Sequence, residues 1–182
     1  ELGRRGGSVE ASAREARYSF LARVANYARA DAVAVAHTVD DQAETVLLRM
    51  IRGSGPHGIA AMREVSVLKF QGHSITVFRP FLHVTRANTE AICTELALTP
   101  SHDSSNRLLK FSRNRVRHKI IPEALLVNSE ARDALVRFAL SAQVDDDFLR
   151  LMAAKSVSDH DNRALDGVRW PRSIIMGLEM PL

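Results

Sequence analysis

The chain has 182 residues, of which 46% are hydrophobic and 25% are charged, and this is the composition of a globular protein with a core of its own. No apolar run approaches the roughly 18 residues that a membrane-spanning helix requires, and there is no secretory signal pattern. The single cysteine, Cys93, excludes an intrachain disulfide framework and a multi-cysteine metal site. We therefore expect a reducing, cytoplasmic location and no membrane partner.

Hydrophobic periodicity predicts helix, strand and helix in the first part of the chain. Residues 9–28 have helical spacing. Residues 31–36 alternate alanine with valine over a stretch too short for a helix, which predicts a buried, central strand. Residues 39–52 then predict an amphipathic helix that begins after Thr38 as N-cap. We expect this helix to pack on the strand.

The rest of the chain predicts a strand pair followed by helices. Gly53 or Gly55 should end the preceding helix, and the segment GSGPHG has the composition of a loop. The later predicted elements are strands at 65–70 and 74–78, a helix at 85–98, a loop at 101–106, a helix at 113–126 that Pro122 should end or kink, and a helix at 129–156. This order predicts an α/β fold with an all-helical tail.

Three carboxylates follow the predicted strand directly, in the stretch AHTVDDQAET. The helix dipole alone favours negative charge at Asp40 and Asp41, in the first helical turn. Ligands of an open α/β sheet, however, bind beyond the carboxyl ends of its strands, where His37 lies. Asp41 and Glu44 are three residues apart and share a helix face, so their oxygens suit a Mg²⁺ ion held together with water and phosphate. A structural histidine and dipole-stabilising acids are the alternative.

A basic segment, DSSNRLLKFSRNRVRHKIIP, forms the second candidate site. From its first arginine to its last lysine it carries six arginines and lysines and no acid. Arg113 and Arg117 are one helical turn apart and share a face, which Lys110 could extend. Asn114 and His118 are interleaved with them. Such a run is often a solvated face, but the planar guanidinium group suits phosphate better than a diffuse surface charge requires.

Three stretches together resemble one known family: HTVDDQAETVLLRMIRGSGPHGIAAM, RPFLHVTR and DSSNRLLKFSRNRVRHKIIP. In this order and spacing they are similar to the tRNA(Ile)-lysidine synthetases, which are N-type ATP pyrophosphatases, and the upstream SVEASAREARYSFL is similar as well. The resemblance covers residues 8–126. It implies a partial parallel sheet of the adenine-nucleotide α-hydrolase (PP-loop ATPase) type over residues 1–105, a helical subdomain over 106–157, and a linker with the start of a truncated domain over 158–182.

The resemblance implies an ATP-dependent ligase. Enzymes of this family adenylate the 2-carbonyl oxygen of the wobble cytidine in an isoleucine tRNA with a CAU anticodon and release pyrophosphate. The ε-amine of free lysine then displaces AMP to give lysidine. ATP and Mg²⁺ are the expected cofactors, and tRNA(Ile) and lysine are the expected partners, with a homodimer as an open alternative. The rival functions are a tRNA thiolase of the same group, which generally needs more cysteines than this chain has, and a non-catalytic nucleotide- or RNA-binding module.

The resemblance also implies roles for individual residues. The expected catalytic residues are Asp41, Glu44 and Arg113, of which the two acids are also the expected metal ligands. The expected nucleotide-binding residues are His37, Asp40, Asn114 and Arg117. The expected tRNA-binding residues are Arg52, Arg115 and Lys119.

We expect the sequence to be a fragment of a longer protein. It opens with ELGRRGG and passes straight into a helical pattern. The family's SGGxDS loop, which holds the departing pyrophosphate, is expected upstream, because the nearest string, RGGSVE, has the glycine pair without the serine or the aspartate. A tRNA-holding domain is expected to begin at about residues 170–182. We do not expect the fragment alone to be active.

Overall fold

The computed structural model describes residues 9–70, 73–101 and 103–159. The chain divides into two compact units, Glu1–Gln143 and Val144–Leu182, and the division falls within the last helix. The described residues of the second unit are the C-terminal part of that helix. The domain boundaries after residues 105 and 157 stay predictions from the sequence, and the segment expected to start a further domain lies outside the described residues.

The described elements largely follow the predicted order. In sequence they are α1 (Val9–Ala28), β1 (Val33–Ala34), α2 (Val39–Ile51), α3 (Pro56–Ile59), β2 (Val65–Phe70), β3 (His73–Phe78), α4 (Arg86–Glu95), a 3₁₀ turn (Ser104–Arg107), α5 (Ser112–Arg115), a π-helical turn (Val116–Ile120), α6 (Ile121–Val127) and α7 (Ala131–Asp159). This is a mixed α/β fold with a helical C-terminal part, as predicted. None of the described helices is both long and apolar enough to span a bilayer.

The three strands form one small sheet in the order β1–β3–β2. β1 runs parallel to β3, with Val33 beside Val77, and β2 pairs antiparallel with β3, with Val65 beside Phe78. The predicted α/β class and the predicted strand pair are confirmed, and the partial parallel sheet that the sequence predicted is a small sheet with one parallel and one antiparallel pair. The predicted central position of the strand at 31–36 is wrong: among the described strands β3 is central, and β1 is a two-residue strand at the edge.

One face of the sheet packs on α1. Tyr18 of α1 is buried with Ile75 and Val77 of β3, and Val33 and Val35 pack against this cluster while half-buried. The alanines that alternate with these valines are exposed. The prediction that this strand is buried is therefore wrong for one of its faces, because alternation points the valines toward α1 and the alanines to the opposite side.

The apolar face of α2 packs against the π-helical turn and α6, which lie in the C-terminal half of the basic segment and just after it. Ala43 is buried with Val116 and Ile121, and Leu47 and Leu48 surround this contact. The predicted packing of α2 on β1 is therefore not its main contact. As a consequence, the acidic start of α2 lies beside α5 and the π-helical turn.

Local signals set both ends of α2. Thr38 is the N-cap, as predicted, and Gly53 follows the helix with a left-handed φ of 74°. The Ser54 N–H donates to the Arg49 carbonyl at 3.0 Å, as in a Schellman motif. The loop predicted after it contains one helical turn, α3, because Pro56 takes the first helical position, where a missing N–H is harmless.

The helical run from α5 to α6 continues past Pro122, where the sequence predicted an end or a kink, but its winding changes just before the proline. The π-helical turn Val116–Ile120 precedes it. Proline lacks an N–H donor and crowds the carbonyl four residues earlier, and the wider π turn accommodates both effects. The loop predicted at 101–106 contains the 3₁₀ turn, which begins where the Asp103 carboxylate accepts a hydrogen bond from the Ser105 N–H at 2.8 Å.

Candidate functional site

Asp41 uses its two carboxylate oxygens differently. Its Oδ2 accepts hydrogen bonds from the Thr38 N–H at 2.9 Å and from the Thr38 hydroxyl at 3.0 Å. The Asp41 N–H donates back to Thr38 Oγ1 at 3.5 Å, which completes a capping box. The other oxygen, Oδ1, faces the basic segment. One residue therefore both starts α2 and contributes to the site.

Glu44, one turn further along α2, has a side chain that is only 2% exposed. Arg113 Nε donates to Glu44 Oε2 at 2.8 Å, and Arg117 donates from Nε to Oε1 at 2.6 Å and from Nη2 to Oε2 at 3.0 Å. Both arginines also reach Asp41 Oδ1, at 3.1 and 3.3 Å. The structure thus brings the three predicted catalytic residues together with Arg117.

A third arginine, Arg86 at the start of α4, joins this group. Its Nη2 lies 3.3 Å from Asp41 Oδ1 and 3.8 Å from Glu44 Oε1. The Arg86 backbone N–H donates to Asp40 Oδ2 at 2.7 Å, and Arg132 Nε lies 3.1 Å from Asp40 Oδ1. Asp40, predicted to bind nucleotide, therefore links the starts of α4 and α7 to the start of α2.

The arginine–carboxylate cluster consists of Asp41, Glu44, Arg86, Arg113 and Arg117. Its three guanidinium groups face two carboxylates, so positive charge is in excess. Burial opposes the ionisation of Asp41, but hydrogen bonds from Thr38 and the charges of Arg113 and Arg86 outweigh it and hold the pKa of Asp41 below its usual value. Burial also opposes the charge of Arg117, but its hydrogen bond to Glu44 raises its pKa. Asp41 and Arg117 are therefore ionised at neutral pH.

A cavity of about 800 Å³ lies beside this cluster. Its volume falls within the range of small-molecule sites. Asp41, Arg113 and Arg117 line it together with His37. The other lining residues are Ala13, Arg14, Arg17, Tyr18 and Leu21 of α1, residues 33–36, and Ser105, Asn106, Phe111 and Asn114. The cavity thus joins the predicted acidic and basic site residues in one space.

His37 is a neutral group in this basic cavity. Burial lowers its pKa to about 4; the charge of Asp41 opposes this shift, and the charges of Arg79, Arg113 and Arg14 add to it. The His37 Nδ1 is buried and has no hydrogen-bond partner among the described residues. At neutral pH the imidazole therefore offers one donor and one acceptor without adding charge. A buried polar atom that is left open in this way is expected to meet a ligand or water.

Asn114, also predicted to bind nucleotide, holds a neighbouring loop. Its side-chain amide donates to the carbonyls of Ser105 at 2.8 Å and Leu108 at 3.0 Å. His118 Nε2 lies 2.9 Å from the carbonyl oxygen of Asn106. These contacts fix the 3₁₀ turn against α5 and the π-helical turn, and they place that turn in the wall of the cavity.

The three predicted tRNA contacts, Arg52, Arg115 and Lys119, are exposed. They do not line the cavity. Arg115 lies between Arg113 and Arg117 in sequence, but helical geometry turns it away from their shared face. The role of these three residues stays a prediction.

The oxygens of Asp41 and Glu44 do not fit a divalent cation in this arrangement. Each oxygen lies within 3.1 Å of a donor from Thr38, Arg113 or Arg117, and the surrounding guanidinium groups repel a cation. Among residues 9–70, 73–101 and 103–159, no three or more His, Cys, Asp or Glu side chains are arranged to hold a metal ion. Mg²⁺ and its two ligands stay predictions from the sequence.

Sequence reasoning did not assign three of the arginines in this region. Arg86 closes the RPFLHVTR stretch, but nothing in its local spacing indicates a partner on α2. Arg14 lies four residues before Tyr18 and three before Arg17, so helical spacing places each of them next to Arg14 on α1. This pattern of two arginines close to an aromatic residue is the sequence feature from which a role for Arg14 and Arg17 could have been predicted.

Comparisons with known proteins give one family model and several relatives of the same name. Residues 1–124 match the family model described as the PP-loop domain. The chain is 40% identical over 173 residues to the tRNA(Ile)-lysidine synthase of Salinispora arenicola, with 94% of this chain and 48% of that protein covered. It is 41% identical over 168 residues to the Salinispora tropica protein of the same name, with 92% and 47% covered. It is 35% identical over 178 residues to that of Geobacillus kaustophilus, with 97% and 37% covered. The chain thus spans half or less of the length of these relatives.

Proposed function

This chain belongs to the PP-loop domain family, and we propose on that premise that it is part of a tRNA(Ile)-lysidine synthase, an ATP-dependent carbon–nitrogen ligase. The proposed reaction adenylates the wobble cytidine of an isoleucine tRNA with a CAU anticodon and then joins free lysine to it. The observation that carries this proposal is the nucleotide-sized cavity whose arginines are held in place by buried carboxylates. ATP is the cofactor that such a cavity suits.

We assign Arg113 a direct role in the activation step. The 2-carbonyl oxygen of cytidine attacks the α-phosphorus of ATP, and the bond from that phosphorus to pyrophosphate breaks. Negative charge grows on the phosphate oxygens, and a pre-positioned guanidinium group stabilises it without reorganisation. Arg113 donates from Nε to Glu44 and from Nη2 to Asp41, which leaves its Nη1 edge for a phosphate oxygen. Arg117 is held in the same way and offers a second such edge.

In this mechanism Asp41 and Glu44 are positioning residues. They fix the planes of the two guanidinium groups by charge-assisted hydrogen bonds, which are shorter and stronger than neutral ones. Asp40 and Asn114 act one step further away: Asp40 holds the starts of α4 and α7, and Asn114 holds the 3₁₀ turn.

In the second step the ε-amine of lysine attacks C2 of the activated cytidine. AMP leaves with the electron pair of the C–O bond, and the nitrogen loses a proton to solvent. His37 is neutral at working pH, and its open Nδ1 lies in the same cavity. We assign it a hydrogen bond to the nucleotide or to the activated base. Outside the cavity, the exposed residues Arg52, Arg115 and Lys119 are assigned to the tRNA backbone.

The test is ATP–pyrophosphate exchange by the protein in its full natural length. We expect exchange to require tRNA(Ile) with a CAU anticodon, and we expect added lysine to release AMP and yield lysidine in the digested tRNA. Arg113→Ala should lower the exchange rate, whereas Arg23→Ala, at an exposed arginine of α1 that does not line the cavity, should not. Exchange without tRNA, or a sulfur-containing nucleoside as product, would refute the proposal.

A further inference from the structure

The α1 side of the cavity carries two arginines that take no part in the arginine–carboxylate cluster. Arg14 and Arg17 both line the cavity, and both lie over the ring of the buried Tyr18, with their Cζ atoms 4.7 and 5.6 Å from its centroid. Both distances are within the range of cation–π contacts. Tyr18 is buried in the core between α1 and β3, so it gives the two guanidinium groups a fixed platform.

Neither arginine forms an ion pair with a side chain that the structure describes, which in α1 means residues 12–28. The ion pairs there involve other arginines, and the one carboxylate that lines the cavity, Asp41, already meets three guanidinium groups. Four arginines therefore surround this space with a single acid between them. Two of them, Arg14 and Arg17, have no anionic partner among the side chains that the structure describes.

Resting on the proposed function, we infer that Arg14 and Arg17, stacked on Tyr18, form a second phosphate-binding pair that contacts the phosphate chain of ATP. The guanidinium fork matches phosphate geometry, and the stacking on an aromatic ring holds its plane while leaving its N–H edges open. Arg14 is half-buried and Arg17 is exposed. Arg14 therefore makes the stronger contact of the two.

The size of the site and its position beside the arginine–carboxylate cluster favour ATP over the tRNA backbone as the ligand. A cavity of about 800 Å³ accommodates a nucleotide. Binding of the tRNA backbone relies instead on exposed cations that track phosphates along a surface.

This assignment makes a prediction about stability as well. Like charges that face one another destabilise the folded chain, and this offsets the stabilisation by the cation–π contacts with Tyr18, so removing one of these arginines should change the stability little. A structural arginine, by contrast, would reduce stability when removed. The ligand-free melting temperature therefore separates a phosphate contact from a packing role.

The experiment compares Arg14→Ala, Arg17→Ala and the double variant with Arg23→Ala, an exposed arginine of α1 that does not line the cavity. ATP and adenosine binding are measured by calorimetry in the full-length protein. We expect the double variant to bind ATP about tenfold or more weakly, as for the loss of charge-assisted contacts, and to bind adenosine as before. Its ligand-free melting temperature should change little, and Arg23→Ala should match the wild type.

Three results would overturn the assignment: unchanged ATP affinity in the double variant, equal losses for ATP and adenosine, or a loss of tRNA affinity with ATP affinity retained. The last of these would assign the pair to the tRNA backbone. Failure of the wild-type protein to bind ATP would overturn the proposed function itself, so the two failures are distinguishable.

Discussion

Arg113 and Arg117, on one side of the cavity, each meet carboxylates at 3.3 Å or less, whereas Arg14 and Arg17, on the α1 side, rest on an aromatic ring. All four line the same space. The first pair is fixed by Glu44, which is buried on α2, and the second by Tyr18. The molecule thus orients guanidinium groups in two different ways within one site.

The difference shows what each arrangement can contribute. Arginines that are paired with buried acids lose part of their net charge but gain a fixed geometry, which suits a transition state whose charge develops at one place. Arginines on a ring keep their full charge, which suits the attraction of a polyanion. We therefore expect changes on the paired side to affect stability and turnover, and changes on the α1 side to affect affinity.

The largest effect on stability is expected from Glu44→Gln. The change removes the charge that both arginines share and leaves two half-buried guanidinium groups facing one remaining acid. Breaking a buried pair in this way costs about 3 kcal/mol. Urea unfolding measures it, with Glu95→Gln, at an exposed position of α4, as the control. Equal stabilities for the two variants would show that the cluster does not hold the fold.

The largest effect on chemistry is expected from Arg113→Ala. Loss of one transition-state donor should lower single-turnover lysidine formation about 100-fold at saturating tRNA. Arg117→Ala should affect phosphate binding and stability, because Arg117 contacts both oxygens of Glu44. Arg115→Ala is the control in the same segment. Small, equal effects at all three positions would mean that this segment is only a solvated surface.

The pH dependence of stability tests whether His37 is neutral in the folded protein. The pKa of His37 falls from 6.5 to about 4 on folding, so between these values the unfolded chain binds more protons and stability decreases as the pH is lowered. Asp41 has a lowered pKa and stays ionised across this window; its contribution disappears only as the pH falls through that lower value. After allowance for solvent screening, the loss attributable to His37 is about 1–2 kcal/mol between pH 7 and pH 4.

The measurement is urea unfolding of the wild type and of His37→Gln at several pH values. The variant should show a flatter dependence between pH 7 and pH 4. His83→Gln, at an exposed histidine, serves as the control and should follow the wild type. A His37→Gln profile parallel to that of the wild type would contradict the neutral, buried state of His37.

The sequence predicts those parts of the fold that local chemistry decides. The start of α2 at Thr38 and its end at Gly53, one of the two glycines predicted, follow from a capping side chain and a left-handed glycine. The edge position of β1 was not predictable in this way, because strand order depends on pairing between distant segments. β1 pairs with β3, which lies more than 40 residues further along the chain.

The same limit applies to the site. The spacing of Asp41 and Glu44 predicts a shared helix face, and the structure has both facing the basic segment. Spacing does not reveal burial, however, and the sequence does not indicate that the Glu44 side chain is only 2% exposed. The two arginines that contact Glu44 lie 69 and 73 positions further along the chain. The contacts of Arg86 could not be predicted for the same reason, since the acids that it contacts are about 45 residues upstream.

A smaller effect is expected at the edge of the cluster. The Arg86 side chain is 31% exposed, and its nearest carboxylate oxygen is Asp41 Oδ1, at 3.3 Å. A double-mutant cycle of Arg86→Ala with Asp41→Asn should give a coupling energy of about 1 kcal/mol. The control cycle uses Arg137 and Glu130, an exposed pair at 3.8 Å, where the coupling should be under about 0.5 kcal/mol. Similar values in both cycles would place Arg86 outside the cluster.

The smallest changes in stability are expected at Arg115 and Lys119, which are exposed and lie outside both sides of the cavity. Replacing either by alanine should change the free energy of unfolding by less than about 0.5 kcal/mol and should leave ATP affinity unchanged. If these residues contact tRNA phosphates, each variant should bind tRNA more weakly and lower the slope of log K against log salt by about one unit. Arg14→Ala provides the reverse case, with weaker ATP binding and an unchanged tRNA salt slope. Salt titrations of tRNA binding for the three variants therefore separate cations that bind nucleotide inside the cavity from cations that bind tRNA outside it. A reduced slope for Arg14→Ala, or an unchanged slope for both exposed variants, would contradict this assignment of the cations to nucleotide and to tRNA.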